Sequence, residues 1–329
     1  MTPMRALALL AGFLAALPSA RAEDLLALEA KIPLGDVSGR IDHLAIDLKR
    51  QRLLVAELGN DTVGVVDLAA KRVLHRITGL KEPQGVAYVE ASDLIFVANG
   101  DDGSLRWFKG SDFSPAGALK LGGDADNIRV DRAANEIVVG YGRGALAVID
   151  AATGRKKSEI TLPAHPEGFQ LAIGDARVFV NIPDGRQIAV VDRAQGRQIA
   201  RWSIDARSNF PMALDEAGRR LFAVYRSPPT LAVFDIDRGS AIMTLRTCGD
   251  ADDVFIDRRR SNVYVSCGDG TVAVIHQAGD SYRELARIKT NSGARTSLFV
   301  PQLDRLFVAV RARGREAAAI WVYRPRAPD

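Results

Sequence analysis

Short apolar segments alternate with polar turns along almost the whole chain. In one representative stretch these segments are residues 44–47, 53–57, 63–67 and 73–77, and all are rich in aliphatic and β-branched residues. Such runs, bounded by charged residues, Gly and Asn, are typical of β-strands. No segment carries a sustained apolar stripe with the helical period, so the pattern predicts an all-β protein with almost no helix.

The same four-segment phrase recurs seven times. The residue that ends the first segment of each copy recurs every 41 to 43 residues, at Asp47, Val89, Asp131, Ala172, Asp215, Asp257 and Val300. Four strands in a repeat of about 42 residues are typical of a β-propeller blade. The sequence therefore predicts a single seven-bladed β-propeller domain over residues 23–329, with four-stranded blades that begin near residues 39, 82, 124, 165, 208, 250 and 293.

The two ends of this repeat array complement each other. After Tyr323 the chain reads RPRAPD, and its two prolines cannot extend a β-ladder. The last copy therefore has three strands of its own, whereas residues 25–34 precede the first copy and resemble a fourth strand. Pairing them with the last copy would leave no open edge in the ring. We expect the N-terminal strand to close blade 7.

The first 22 residues differ from the repeats. Arg5 precedes an apolar run at residues 6–17, and the small-residue sequence ARA follows at residues 20–22. This order is that of a secretory signal peptide, and the apolar run is too short to span a bilayer. We expect cleavage near Ala22 and a periplasmic or extracellular mature protein without a membrane span.

Two recurrent segments resemble those of the YVTN-repeat, YncE-like family of secreted bacterial propellers. They are FVAN at residues 96–99 and the VVD-like ends of the third strands, and the resemblance extends from Leu25 to about Pro325. It implies a seven-bladed propeller among relatives that are mostly binding or scaffold proteins.

The composition limits the classes of binding partner and suggests one disulfide. The net charge is only +4, and no basic run is interleaved with aromatic residues, which makes nucleic acid a poor candidate partner. Trp107, Trp202 and Trp321 fall on predicted strands rather than in a groove. Cys248 and Cys267 are the two cysteines of an exported chain, and we expect a disulfide between them rather than two buried thiols.

The repeat alignment predicts a ligand-binding face at one mouth of the central channel. The loops that lead into the first strands, here called the inner loops, share this face with the loops that follow the second strands. Converging loops of this kind are common ligand sites. The candidate binding residues there are Asp42, His43, Glu57, Asn99, Asp126, Asn127, Tyr141, Asp252 and Asp253.

Four inner-loop carboxylates could bind a hard cation. Ca²⁺ and Mg²⁺ prefer six or more oxygen ligands, and the candidates come from four different blades: Asp42, Asp126, Glu167 and Asp252. The alternative is that these short side chains accept hydrogen bonds from N–H groups of their own loops. No other cofactor is predicted.

A second set on this face has the residue types of an acid–base site. It comprises His165, Glu167, Arg226 and Arg295. Arg can bind a carboxylate through two hydrogen bonds, and His can move a proton near pH 7. The set resembles the His–Arg–Glu groups of seven-bladed lactonases and lactone-forming enzymes. The alternative is that these are solvated loop side chains.

Two functions remain open from the sequence. The first is a non-catalytic binding or scaffold protein whose loop face holds a small molecule or a periplasmic protein; it is favoured because no Walker loop, HExxH or GxSxG motif occurs. The second is a lactonase-like or sugar-acid hydrolase, with or without a divalent cation, acting at the channel mouth.

Overall fold

Seven four-stranded antiparallel sheets surround a central channel. The computed structural model describes residues 25–327, and the predicted seven-bladed β-propeller is confirmed. The predicted signal peptide lies outside the described residues. The helical content of residues 25–327 is minimal and includes one 3₁₀ turn, Leu58–Asn60. Within the same range, no helix is long and apolar enough to cross a membrane.

The strands follow one another in chain order, beginning with β1 (Leu26–Pro33), which does not belong to the sheet of the first blade. Blade 1 contains β2 (Leu44–Asp47), β3 (Arg52–Glu57), β4 (Thr62–Asp67) and β5 (Arg72–Ile77). Blade 2 contains β6 (Pro83–Val89), β7 (Leu94–Asn99), β8 (Ser104–Lys109) and β9 (Pro115–Lys120). Blade 3 contains β10 (Ile128–Asp131), β11 (Glu136–Tyr141), β12 (Ala145–Asp150) and β13 (Lys156–Thr161).

The remaining blades repeat this plan. Blade 4 contains β14 (Phe169–Leu171), β15 (Arg177–Ile182), β16 (Gln187–Asp192) and β17 (Arg197–Ser203). Blade 5 contains β18 (Arg207–Asp215), β19 (Arg220–Ser227), β20 (Pro229–Asp235) and β21 (Ala241–Arg246). Blade 6 contains β22 (Ala251–Asp257), β23 (Asn262–Cys267), β24 (Thr271–Ala278) and β25 (Ser281–Lys289). Blade 7 contains β26 (Ser297–Val300), β27 (Arg305–Val310) and β28 (Ala319–Pro325).

The N-terminal strand supplies the fourth strand of blade 7. β1 pairs antiparallel with β28, from Leu26 opposite Pro325 to Pro33 opposite Ala319. A bulge between Leu28 and Ala30 shifts the register within this pair. The sheet order β1-β28-β27-β26 places β1 on the outside, so the predicted closure of the ring by the N-terminal strand is confirmed.

A layer of large side chains packs between the blades. The third residue of the second strand is buried in every blade, at Leu54, Phe96, Val138, Phe179, Phe222, Tyr264 and Phe307. These strands lie between two neighbouring sheets, which is why they read as continuous apolar runs instead of alternating. Burying one such aromatic side chain contributes about 2–3 kcal/mol. The core is therefore a ring of blade-to-blade interfaces.

Asp–Arg pairs connect neighbouring blades on the face opposite the inner loops. Asp47 accepts a hydrogen bond from the backbone N–H of Arg50 at 3.0 Å, which closes the turn between β2 and β3. The guanidinium of Arg50 then reaches Asp93 of blade 2, with Nη1–Oδ1 at 2.8 Å. Arg260 makes the same kind of link to Asp304 of blade 7 at 2.7 Å. The recurring Asp of the repeat therefore has a structural role at these turns.

Candidate functional site at the channel mouth

The inner loops enclose a polar cavity of about 210 Å³, here called the mouth cavity. Twelve residues of the described chain line it: Arg40, Asp42, His43, Gln84, Asp124, Asp126, His165, Glu167, Phe210, Arg226, Asp252 and Arg295. Phe210 is the one apolar member of this set. The cavity is therefore suited to a small ligand that makes many polar contacts.

The repeat itself places these side chains at the mouth. The residue two positions before the start of the first strand donates its backbone N–H to the second strand of the same blade. Asp42 binds the carbonyl of Ala56 at 2.7 Å, and Asp126 binds that of Gly140 at 3.0 Å. With its backbone fixed to the sheet, each of these residues directs its side chain into the channel.

Glycine allows neighbouring inner loops to approach closely. A Cβ atom on Gly85 would lie 2.0 Å from the carbonyl oxygen of Asp126 in the next blade. A Cβ atom on Gly168 would lie 2.4 Å from the carbonyl oxygen of Phe210. Any side chain would force these backbones apart, so the narrow mouth depends on Gly at both positions.

Arg226 and Arg295 are fixed by two carboxylates of blade 6. Arg295 places Nε 2.7 Å from Asp252 and Nη1 3.0 Å from Asp250. Arg226 donates through Nη2 to Asp252, and its guanidinium lies 3.8 Å from the centre of the Phe210 ring. Within residues 25–327, no side chain or carbonyl accepts a hydrogen bond from Nη1 of Arg226 or Nη2 of Arg295. Each guanidinium thus keeps a donor for a ligand.

His43 forms the floor of the mouth cavity. Its Nε2 lies 3.9 Å from Asp42 and its Nδ1 lies 3.7 Å from Asp253. Burial lowers the pKa of His43, but the carboxylates of Asp253 and then Asp42 outweigh this effect and raise the pKa to about 10. The floor is therefore a cationic imidazolium held between two carboxylates at neutral pH.

Among the carboxyl groups of the described chain that line the mouth cavity, Glu167 is the one without a hydrogen-bond or ion-pair partner for its side chain. No side-chain hydrogen bond or ion pair joins it to another residue of the described range 25–327. Burial raises the pKa of Glu167, and the nearby Asp126 and Asp252 carboxylates raise it further, to about 8. Burial also raises the pKa of Asp126, to about 6. At neutral pH, Glu167 therefore keeps its proton and can donate it to a ligand oxygen.

His165 has a defined tautomer. Its Nδ1 lies 2.6 Å from the carbonyl oxygen of Gly142 and 3.7 Å from Asp124, which accepts a hydrogen bond from Gln84 at 3.0 Å. Because a carbonyl can only accept, Nδ1 carries a proton, and Nε2 is the ring nitrogen that remains for a ligand.

The structure does not bring every predicted binding residue into the mouth cavity. Glu57 accepts hydrogen bonds from Thr62 and Arg76, and Asn99 is fully buried against Ser104. The hydroxyl of Tyr141 donates to Glu159 within blade 3. These residues end second strands, where the side chains turn into the blade interior. They stabilise the edges of the mouth instead of lining it.

Two inner-loop residues lie behind or below the cavity. Asn127 is buried, and its amide donates to Asp126 at 3.2 Å. Asp253 accepts the backbone N–H of Ser297 at 2.8 Å and faces the opposite part of the channel.

Arg40 and Asp124 line the cavity although the alignment did not single them out. Both lie two positions before the column that contains Asp42 and Asp126, and His165 occupies the same position in blade 4. Arg40 binds Asp42 at 2.8 Å. A second column of the repeat would therefore have revealed them.

The carboxylates do not form a compact group of metal ligands. Within residues 25–327, the group of three His, Cys, Asp or Glu donors that lies within 4.8 Å consists of Cys248, Cys267 and Asp269. Its two cysteines are joined as a disulfide. Asp42, Asp126, Glu167 and Asp252 share the cavity without forming such a group, and Ca²⁺ or Mg²⁺ binding there stays a prediction.

The disulfide supports the acidic side of the mouth. Cys248 and Cys267 have Cα atoms 5.9 Å apart and connect the inner loop of blade 6 to the end of β23. Asp250 and Asp252 follow Cys248 in this loop. The cross-link therefore anchors the two carboxylates that hold Arg226 and Arg295.

Comparison with known proteins supports the fold alone. No model of a known protein family matches the chain, and no curated protein matches its sequence. Among solved structures, the chain is similar to Kuenenia stuttgartiensis hydrazine synthase, with a TM-score of 0.73 and 14% sequence identity over 84% of this chain and 94% of that chain. The resemblance to YVTN-repeat propellers stays a prediction, whereas the chain is plainly a seven-bladed β-propeller.

Proposed function

We propose that the protein is an exported, non-catalytic propeller that binds a small, oxygen-rich molecule, such as a sugar acid, in the mouth cavity. One observation carries the proposal. Two guanidinium groups are fixed by Asp250 and Asp252, and each keeps one terminal nitrogen unpaired at a small polar cavity. Preorganised donors of this kind bind a carboxylate without a large loss of side-chain entropy.

The other lining groups support a ligand with several oxygen atoms. The protonated Glu167 adds a donor, and the Nε2 atom of His165 adds an acceptor for a hydroxyl group. Acidic and basic side chains are equal in number in the lining, so a ligand of high net charge would be repelled by one half of it. The twelve described lining residues include no Ser, Thr, Cys or Lys that could act as a nucleophile.

Thermal unfolding and calorimetry with a defined panel test this proposal. The panel consists of gluconate, galacturonate, glucono-lactone, Ca²⁺ and Mg²⁺. We expect an oxyacid to raise Tm, and we expect Arg295→Gln to weaken its binding at least about tenfold through loss of a charged hydrogen bond. Arg143→Gln is the matched control, because Arg143 is exposed in the loop after β11 and lies outside the cavity lining.

Two results would refute binding in the mouth cavity. One is a panel in which no oxyacid shifts Tm. The other is an Arg295→Gln protein that binds the oxyacid as tightly as the Arg143→Gln control while melting at the temperature of the parent protein.

A second candidate is a lactone or sugar-acid hydrolase, and the pKa of Glu167 favours it. A general acid or base works best with a pKa near the operating pH, and the pKa of Glu167 is about 8. Titration of the acid released from glucono-lactone, with Ca²⁺ and with EDTA, measures this activity. A hydrolase should lose at least about a hundredfold of its rate in Glu167→Gln. If glucono-lactone is hydrolysed only at its spontaneous rate, the hydrolase function is excluded and the binding function remains.

A further inference from the structure

The opposite end of the channel holds a larger and more apolar cavity, here called the far chamber. Its volume is about 630 Å³, within the range of ligand sites in proteins. Six blades contribute apolar side chains to its walls, including Leu44, Val86, Ile128, Met212, Val254 and Leu298. His43 lines both cavities, so the His43–Asp253 pair separates them.

Arg129 brings an uncompensated charge into this chamber. Its Nη1 donates to the carbonyl of Ile128 at 2.9 Å, and its guanidinium lies 5.4 Å from the Phe169 ring centre. No carboxylate of the described chain lies within 4.0 Å of it. Burial lowers the pKa of Arg129, even though Asp253 and Asp126 act against this. Arg129 is half-buried at the chamber wall, and most of its N–H donors lack a protein acceptor.

We propose that the far chamber binds a monocarboxylate with an apolar body. The carboxylate pairs with Arg129 through two hydrogen bonds, and the hydrocarbon part lies against the apolar walls. A planar guanidinium matches a carboxylate in this geometry better than it matches other groups. This site is separate from the mouth cavity and does not depend on the function proposed there.

The surrounding charges limit the ligand to a single negative charge. Asp253 at the floor would repel a second one, which disfavours dicarboxylates and phosphate esters. At the rim, Arg258 and Arg259 raise the local concentration of anions, although each has a carboxylate nearby. The apolar walls favour a longer hydrocarbon part, and each buried methylene should tighten binding about fourfold.

Calorimetry with the full chain and four eight-carbon probes tests the assignment. The probes are octanoate, octan-1-ol, octylamine and octyl phosphate, and hexanoate measures the chain-length effect. We expect octanoate to bind most tightly of the four, and about sixteenfold more tightly than hexanoate, which is two methylenes shorter. Arg129→Met should weaken octanoate at least about tenfold and leave octan-1-ol unchanged, because it removes the charge and keeps an apolar side chain.

Two further variants test whether octanoate binds at the guanidinium of Arg129. Arg129→Lys keeps a charge without the planar fork, so its octanoate affinity should fall between those of the parent and Arg129→Met. Arg295→Gln changes only the mouth cavity and should bind octanoate as the parent does. Thermal unfolding checks that each variant is folded.

Four outcomes would overturn the proposal. Octanoate fails to bind at millimolar concentration, or octylamine binds as tightly as octanoate, or folded Arg129→Lys and Arg129→Met both retain the parent affinity. Loss of octanoate binding in Arg295→Gln, with Arg129→Met unaffected, would place the ligand in the mouth cavity and likewise refute a site at Arg129.

Discussion

The two ends of the central channel are built from the same repeat and yet differ in chemistry. At the mouth, twelve mainly charged residues enclose about 210 Å³, and most cations there have carboxylate partners. In the far chamber, apolar side chains enclose about 630 Å³ around one unpaired guanidinium. The loops determine the mouth, whereas the innermost strands determine the far chamber.

This difference shows how a repeat protein varies two surfaces independently. An inner-loop residue can change without disturbing the sheet, because only its backbone is fixed there. A residue on an innermost strand contacts the channel and its neighbouring blade, so it is more often apolar. The His43–Asp253 pair is the boundary between the mouth cavity and the far chamber. A variant on one side of it should change ligand binding in that cavity and not in the other.

Removing the boundary carboxylate should have the largest effect. Asp253→Ala leaves the His43 imidazolium with one carboxylate and the N–H of Ser297 without its acceptor. We expect the free energy of unfolding to fall by about 4 kcal/mol, as for other broken buried pairs. Urea unfolding measures this. Asp36→Ala, at an exposed aspartate, is the control and should change stability by less than about 0.5 kcal/mol. Equal losses in both would contradict a special role for the boundary.

Breaking the disulfide should affect ligand binding at the mouth but not in the far chamber. Cys248→Ser with Cys267→Ser opens a loop with a sequence separation of 19, which should cost about 3 kcal/mol through the unfolded state. Because the loop carries Asp250 and Asp252, oxyacid binding at the mouth should weaken while octanoate binding in the far chamber stays unchanged. Calorimetry with both ligands measures this. Parallel loss of both affinities would show that the two ends are coupled.

Stability should fall as the pH rises from 5 to 8. The folded-state pKa of Glu167 is about 8 against an ordinary value of 4.5, so the folded state binds more protons between these values. Asp126 acts in the same direction up to about pH 6. His43 acts in the same direction above pH 6.5, because the unfolded state loses the imidazole proton there whereas the folded state keeps it up to about pH 10. Glu167 alone should lower the free energy of unfolding by about 1.4 kcal/mol for each pH unit in this window.

Urea unfolding at several pH values measures this slope, and two variants identify its source. Glu167→Gln should make the slope between pH 6 and pH 8 shallower, and His43 should account for what remains above pH 6.5. Glu90→Gln, at an exposed glutamate, should retain the full slope. An unchanged slope in Glu167→Gln would show that Glu167 does not contribute to it.

The smallest effect is expected at the rim of the far chamber. Arg259 is 76% exposed and lies 3.6 Å from Asp304, so Arg259→Gln should change stability by less than about 0.5 kcal/mol. It should slow octanoate association at low salt and have no effect at high salt, because exposed charges act through screened attraction. Stopped-flow measurements at two salt concentrations test this. A rate that is insensitive to salt would argue against steering by the rim.

The repeat allowed most of the architecture to be predicted from the sequence. A constant spacing and the incomplete last copy were enough to predict seven blades and the closing strand, because both are properties of the backbone pattern. The same alignment predicted that Asp42, Asp126, Glu167 and Asp252 share the mouth, and they line one cavity. A loop residue at a fixed position relative to a strand has little freedom to lie elsewhere.

Side-chain direction could not be read from the alignment alone. Tyr141 ends a second strand on the correct face, but its side chain turns into the blade toward Glu159. Arg129 was not predicted, because it lies on an innermost strand and not in an inner loop. A signal existed, since the corresponding residues of other blades include Ala45, Ala87 and Phe255, which are apolar. Arg129 is the one charged residue of this column, in which Gln170 is the other polar residue, and packing does not explain a charge there.

Ring closure by β1 has a consequence for the time course of folding. Blades 1 to 6 consist of consecutive strands and can form as they are synthesised, but blade 7 must wait until Leu26 finds Pro325 at the other end of the chain. Both cavities take side chains from blades on either side of this junction. A nascent or truncated chain that has folded most of its sheets would still have no functional channel. The appearance of ligand binding during folding should therefore mark the formation of the β1–β28 pair.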